Sequence, residues 1–145
     1  MPTVSSAQDI DALDANTAVI AVDNDDEGTF RGLYLMDTNN FTITKQIKID
    51  NAFSSSVRVL KNNRLMLGFF NAIWKFDLNK AIQSSSEPTP ERRAWKFPKL
   101  FMVDLQGKVF YGDKYFYGCF KTMDENTNAR EIKPLVFSMA ELYLD

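Results

Sequence analysis

The chain has 145 residues, 45% of them hydrophobic and 25% charged, with 17 basic against 19 acidic side chains and a formal charge of −2. That is the length of one domain with the apolar content of a folded protein, and a near-neutral total is not that of a generic polyanion binder. Histidine is absent and Cys119 is the single cysteine. This excludes Ser-His-Asp and Cys-His catalysis, Cys/His zinc sites and a disulfide within the chain.

The first residues, Met1-Pro2-Thr3-Val4-Ser5-Ser6, hold neither a basic region nor an apolar core, so a signal peptide is not expected. No apolar run approaches the ~18–20 residues of a membrane helix. The expected setting is the cytoplasm or the inside of an assembled particle, without membrane contact. Ser6 with Asp9 three residues later fits a capping box, and Ile10 and Leu13 share a helical face. A short helix or an arm is expected over residues 1–16.

From residue 17 the pattern is that of strands, and a β-domain is expected over 17–138. Ala18-Val19-Ile20-Ala21-Val22 is apolar on both faces, as in a buried strand. Gly32-Leu33-Tyr34-Leu35-Met36-Asp37 follows. In residues 41–49, Phe41, Ile43, Ile47 and Ile49 alternate with Thr42, Thr44, Gln46 and Lys48, the period of two of a half-buried strand. Residues 57–60, 64–70 and 72–77 continue the series. Further strands are expected at 100–105, 109–111, 115–120 and 134–137. Asn39-Asn40, Asn62-Asn63 and Gln106-Gly107 separate apolar runs. Asn and Gly tolerate positive φ, so each is expected to close a tight antiparallel turn. Ser84-Ser85-Ser86-Glu87-Pro88-Thr89-Pro90 and residues 124–128 are polar and are expected as loops. A tail over 139–145 is expected as a helical turn or a closing strand.

The chain resembles itself. Gly32-Leu33-Tyr34-Leu35-Met36-Asp37 aligns with Ala72-Ile73-Trp74-Lys75-Phe76-Asp77, and Leu60-Lys61-Asn62-Asn63-Arg64-Leu65 aligns with Leu105-Gln106-Gly107-Lys108-Val109. Spacings of ~40–50 residues with four short strands each are those of β-propeller blades, which bury their faces by stacking. The run from Gly32 to Ile47 resembles a YVTN-type propeller blade, with Asp37-Thr38 before a turn and a Thr-rich strand. Residues 57–77 resemble blades of Kelch-type or sensor-type propellers. The resemblance implies an all-β fold of four-stranded antiparallel blades, with a β-sandwich or barrel as the alternative. The WD-repeat Gly-His and Trp-Asp pairs and the paired Kelch glycines are absent. About three blades fit the length, fewer than the 4–8 of a closed propeller, so self-association or docking on other proteins is expected to cover the ends.

Charge is segregated along the chain. Residues 1–50 carry three basic and nine acidic side chains, residues 51–100 nine basic and three acidic, and residues 101–145 five basic and seven acidic. Complementary patches that meet within the chain or between copies are one consequence. Asp23-Asn24-Asp25-Asp26-Glu27-Gly28 imitates the start of a calcium loop. Its twelfth position is Tyr34 instead of glutamate, so Asp23, Asp25, Asp26 and Glu27 read as a charged hairpin tip. Arg92-Arg93-Ala94-Trp95-Lys96 mixes cations with an aromatic ring. Protein contact is the favoured reading for Arg92, Arg93, Trp95 and Lys96, and nucleic acid is not expected as a partner. Cys119 reads as a small buried hydrophobe. Asp37, Asp77 and Asp124 end strands and read as turn formers. Tyr111, Tyr115, Phe116, Tyr117 and Phe120 read as core and inter-blade packing, with an exposed subset available as a binding face.

The expected function is a non-enzymatic scaffold or protein-interaction subunit of a larger assembly, of which a virus or phage structural component is one form. A glycan-binding or ligand-binding β module is the alternative, and an Asp/Glu-dependent hydrolase the third. No metal, cofactor or catalytic residue is assigned.

Overall fold

The computed structural model describes residues 7–24, 30–49, 53–69, 72–83, 94–96, 100–124, 126–127 and 129–143. Its strands are β1 (Ala7–Asp14), β2 (Thr17–Asn24), β3 (Phe30–Asp37), β4 (Thr42–Lys48), β5 (Phe53–Leu60), β6 (Arg64–Phe69), β7 (Ala72–Asp77), β8 (Ala94–Lys96), β9 (Leu100–Tyr111), β10 (Tyr115–Asp124) and β11 (Arg130–Ser138). Two short helices, α1 (Leu78–Gln83) and α2 (Met139–Tyr143), follow β7 and β11. The described strands form three consecutive antiparallel sheets, ordered β1-β2-β3-β4, β5-β6-β7-β8 and β9-β10-β11. The chain is all-β, as its alternation predicts, and the described strands close no barrel. Among the described residues no helix is long and apolar enough to cross a membrane.

Turn chemistry sets the strand ends. The Asp14 carboxylate accepts the Asn16 N–H at 2.8 Å, that of Asp37 accepts the Asn39 N–H at 2.8 Å, and that of Asp77 accepts the Asn79 N–H at 3.0 Å. Each short carboxylate thus mimics a backbone turn. Asn62 and Asn63 take φ of 58° and 56° between β5 and β6, the left-handed conformation that asparagine tolerates. Gly32 has a different reason. A Cβ there would stand 2.0 Å from the Ile47 carbonyl oxygen, so only glycine lets β3 approach β4 at this point. Gly32–Asp37 and Ala72–Asp77, matched in sequence, both lie in the third strand of their sheets and both end on a turn-closing aspartate.

Three expectations are corrected. Residues 7–14 form a strand and not a helix, because Asp9 and Asp11 alternate with Ile10 and Ala12 and their carboxylates have backbone partners on β5. Gln106-Gly107 does not turn the chain. β9 runs through it, with Gly107 at φ 66° in a bulge opposite Gly118, and the turn comes at residues 112–114. The match between residues 60–65 and 105–109 therefore does not hold, since one is a hairpin turn and the other lies inside a strand.

The second sheet is the middle layer. One core cluster joins Val19, Ala21, Leu33, Leu35 and Ile47 of the first sheet to Val57, Leu65, Leu67 and Phe76 of the second. Another joins Leu60, Met66 and Ile73 of the second sheet to Leu105, Phe116, Phe120 and Leu135 of the third and to Leu142 of α2. Burial on both faces is why β6 and β7 read as nearly unbroken apolar runs.

The first strands of the three sheets meet at Arg58. Its guanidinium reaches Asp9 Oδ2 of β1 at 2.7 Å and donates to the carbonyls of Gly107 and Leu105 on β9 at 2.6 and 3.2 Å. Asp9 Oδ2 also accepts the Val57 N–H at 3.0 Å, Asp11 Oδ2 accepts the Val59 N–H at 2.8 Å, and Ser56 Oγ accepts the Leu105 N–H at 2.6 Å. The edge of β5 is thereby satisfied by carboxylates of a neighbouring sheet and not by a ladder.

A second clasp holds the C-terminal helix. Lys75 of β7 is fully buried and donates from Nζ to the carbonyls of Glu141 and Leu142 at 3.2 and 3.1 Å. Ser138 and Glu141 cap the start of α2 reciprocally, with N–H to carboxylate at 3.3 Å and N–H to hydroxyl at 3.4 Å. Replacing Lys75 by Met keeps the stem and strips the two carbonyls of their donor. We expect a loss of about 1–3 kcal/mol in urea unfolding, with faster amide exchange across α2.

Candidate functional site

The third sheet has one face in the core and one without a covering layer among the described residues. Strand alternation decides which side chains go where. On β10, Phe116, Phe120 and Thr122 point inward and are buried, while Tyr115, Tyr117, Cys119, Lys121 and Met123 point outward. Cross-strand pairing arranges the outer face in rows: Phe110–Tyr117–Val136, then Gln106–Cys119–Pro134, then Asp104–Lys121–Ile132, then Met123–Arg130. Tyr115, Phe110, Tyr117, Ile132 and Val136 are 42–68% exposed.

At the charged end of the third sheet lies an open depression of about 170 Å³ lined by Asp104, Lys121, Thr122, Met123 and Arg130. Asp104 is half-buried there. Removal from water raises its pKa, Asp9 across the sheet junction adds to the rise, and Lys121 and Arg130 oppose it. Leu105, next to Asp104, accepts from Arg58, so the depression adjoins that junction.

The aromatics divide as alternation requires. Phe116 and Phe120 are core residues, with Phe116 packed against Phe137 at 5.4 Å and Tyr111 at 6.2 Å between ring centres. Tyr115 and Tyr117 are the exposed subset. Cys119 is exposed, which corrects its reading as a buried hydrophobe: Phe120 takes the inward position, so its neighbour must face out. Phe110, Ile132 and Val136 were not singled out by sequence reasoning. The usable signal was the register of β9 and β11 against β10, which the Gln106-Gly107 misreading hid.

The residues proposed from sequence lie elsewhere. Asp23 falls near the end of β2, opposite Arg31 of β3. Trp95 and Lys96 lie on β8 at the edge of the second sheet, opposite Ile73 and Ala72. Asp25, Asp26, Glu27, Arg92 and Arg93 lie outside the described residues. Asp23 and the pair Trp95 and Lys96 thus belong to different sheets. One acidic residue of the first third, Asp9, pairs with one basic residue of the second, Arg58.

No family model, curated protein or solved structure matches the chain.

Asp104 gives a pH signature. Its folded pKa lies above the ordinary 3.8, so between the two values the folded state holds more protons than the unfolded, and the native state loses stability as pH rises through this window. Asp104→Asn removes that loss. In protein dilute enough to be monomeric, we expect its melting temperature to equal or exceed the wild type's at pH 7, with the difference in its favour disappearing as pH falls below the ordinary carboxylate range. A pH series of thermal melts checks this.

Proposed function

We propose that the chain is a non-enzymatic protein-interaction subunit of a larger assembly, and that it docks through the outer face of its third sheet. The observation that carries this is the cross-strand cluster of Phe110, Tyr117, Val136 and Ile132, all exposed on one face. Aromatic rings side by side on a rigid sheet are favoured interface anchors, and an exposed apolar cluster of this kind marks a contact surface more often than chance exposure does. Paired carboxylates facing one cleft would favour a hydrolase. In the depression, Asp104 is the one carboxylate among the lining residues and stands beside two cations.

Tyr115, Tyr117 and Phe110 also favour a second reading, because exposed rings can stack on sugars. Binding to a glycan panel that is lost in Tyr117→Ala would support that reading against the first.

The test of the interaction reading is the native mass in gentle extracts of the producing cells. Wild-type chain is expected in a species heavier than its own 16.6 kDa. Tyr117→Glu, a change at an exposed strand position, should stay folded within about 0.5 kcal/mol and shift to the free chain. A wild-type chain that runs free in such extracts contradicts the reading.

A further inference from the structure

The outer face of the third sheet has a pattern that complements itself. β10 is the central strand, β9 lies on one side and β11 on the other. Phe110 of β9 and Val136 of β11 flank Tyr117, and Asp104 of β9 and Ile132 of β11 flank Lys121, with Arg130 one row further along β11. We propose that this face docks on a second copy of the chain about a two-fold axis running along β10, so that two third sheets pack face to face. This rests on the interaction reading above and names its partner.

Such an axis lays each β9 over the β11 of the other copy and each β10 over the other β10. Phe110 then meets Val136 of the second copy, and Tyr117 meets Tyr117. Asp104 then lies opposite Ile132 of the second copy, with Arg130 one row further along that strand and Lys121 beside it, and symmetry makes this arrangement twice. The two Lys121 side chains face each other at the axis and are flanked by the two Asp104 carboxylates, which offset their repulsion. An axis across the strands would instead set the aromatic row on the charged row and strip water from charges without pairing them.

Size fits as well. Large side chains expose on the order of 150–250 Å² when free, so five of them at these fractions leave on the order of 500 Å². That is well over half of the ~800 Å² that each partner of a standard interface buries, before the charged rim is added. Pairing through the edge of β11 is disfavoured. Pro134 there has no N–H to give, and Glu131 and Lys133, 3.8 Å apart, place charges along the edge. The middle row of Gln106, Cys119 and Pro134 provides a probe. Sheets packed face to face lie ~10 Å apart, too far for a disulfide between two Cys119 thiols and within reach of a short bis-maleimide.

The test uses purified full-length chain in a sedimentation series. Wild type should reach twice the 16.6 kDa chain mass as concentration rises, and bis-maleimide should join it through Cys119. Asp104→Lys and Arg130→Glu should each weaken the dimer at least about tenfold, and the double variant should be tighter than the Asp104→Lys variant alone. Tyr117→Glu gives a second route to the monomer, with circular dichroism reporting that each variant is folded. A wild type that stays monomeric throughout, or a dimer untouched by all three substitutions, overturns the proposal. Purified monomer combined with a heavy native species in cells overturns the dimer alone and leaves the interaction reading standing; a free chain in both removes both.

Discussion

Arg58 is asked to satisfy three things at once: a carboxylate on β1, two carbonyls on β9, and its own place on the edge of β5. Its side chain and that of Asp9 are 14% and 20% exposed, so the pair is largely withdrawn from water. In that setting a charged group is stable only while its partners stay in place, and removing one leaves the other buried and uncompensated. The Asp9 carboxylate also takes the N–H of Val57, and its neighbour Asp11 takes that of Val59. Three open sheets whose inner edges would each invite pairing are thus fixed to one another at one point, and the edge of β5 is closed without a continuous ladder.

From this junction the layers follow. The second sheet takes both core clusters and so is buried on two sides, with Lys75 the one fully buried cation among the described residues and two helix-end carbonyls placed to receive it. The third sheet turns Leu105, Phe116, Phe120 and Leu135 to that layer. Alternation then obliges Phe110, Tyr117, Ile132 and Val136 to face away. The candidate surface is a by-product of neither loops nor disorder. It is the second face of a sheet whose first face is the core, held rigid by the strands beneath it, and it reaches the charged depression at Asp104 within three rows.

Much of the fold was legible because its signals are local. Alternation from Thr42 onward gave β4, although Phe41, read as its first inward residue, lies exposed in the turn at φ 58°, and Asp37 and Asp77 marked turns through bonds spanning two residues. The offset between Gly32–Asp37 and Ala72–Asp77 identified equivalent strands. What was lost depended on distant partners. Ser6 and Asp9 have capping-box spacing, yet the Asp9 carboxylate is claimed by β5, 48 residues away; the reciprocal cap actually formed, Ser138 with Glu141, went unread. Gln106-Gly107 has hairpin chemistry, but Gly107 spends its positive φ on a bulge that brings its carbonyl to Arg58. That error cut β9 in two, hid the pairing of Phe110 with Tyr117, and with it the exposed face.

The claim that one largely buried ion pair couples the first and second sheets is tested most directly by a double-mutant cycle. Asp9→Ala, Arg58→Ala and the double variant would be unfolded in urea beside the wild type. The junction described above predicts that each single change is strongly destabilising and that the two effects overlap, with a coupling of about 2 kcal/mol. Additive effects, with a coupling below about 0.5 kcal/mol, would mean that Asp9 and Arg58 act independently and would contradict it.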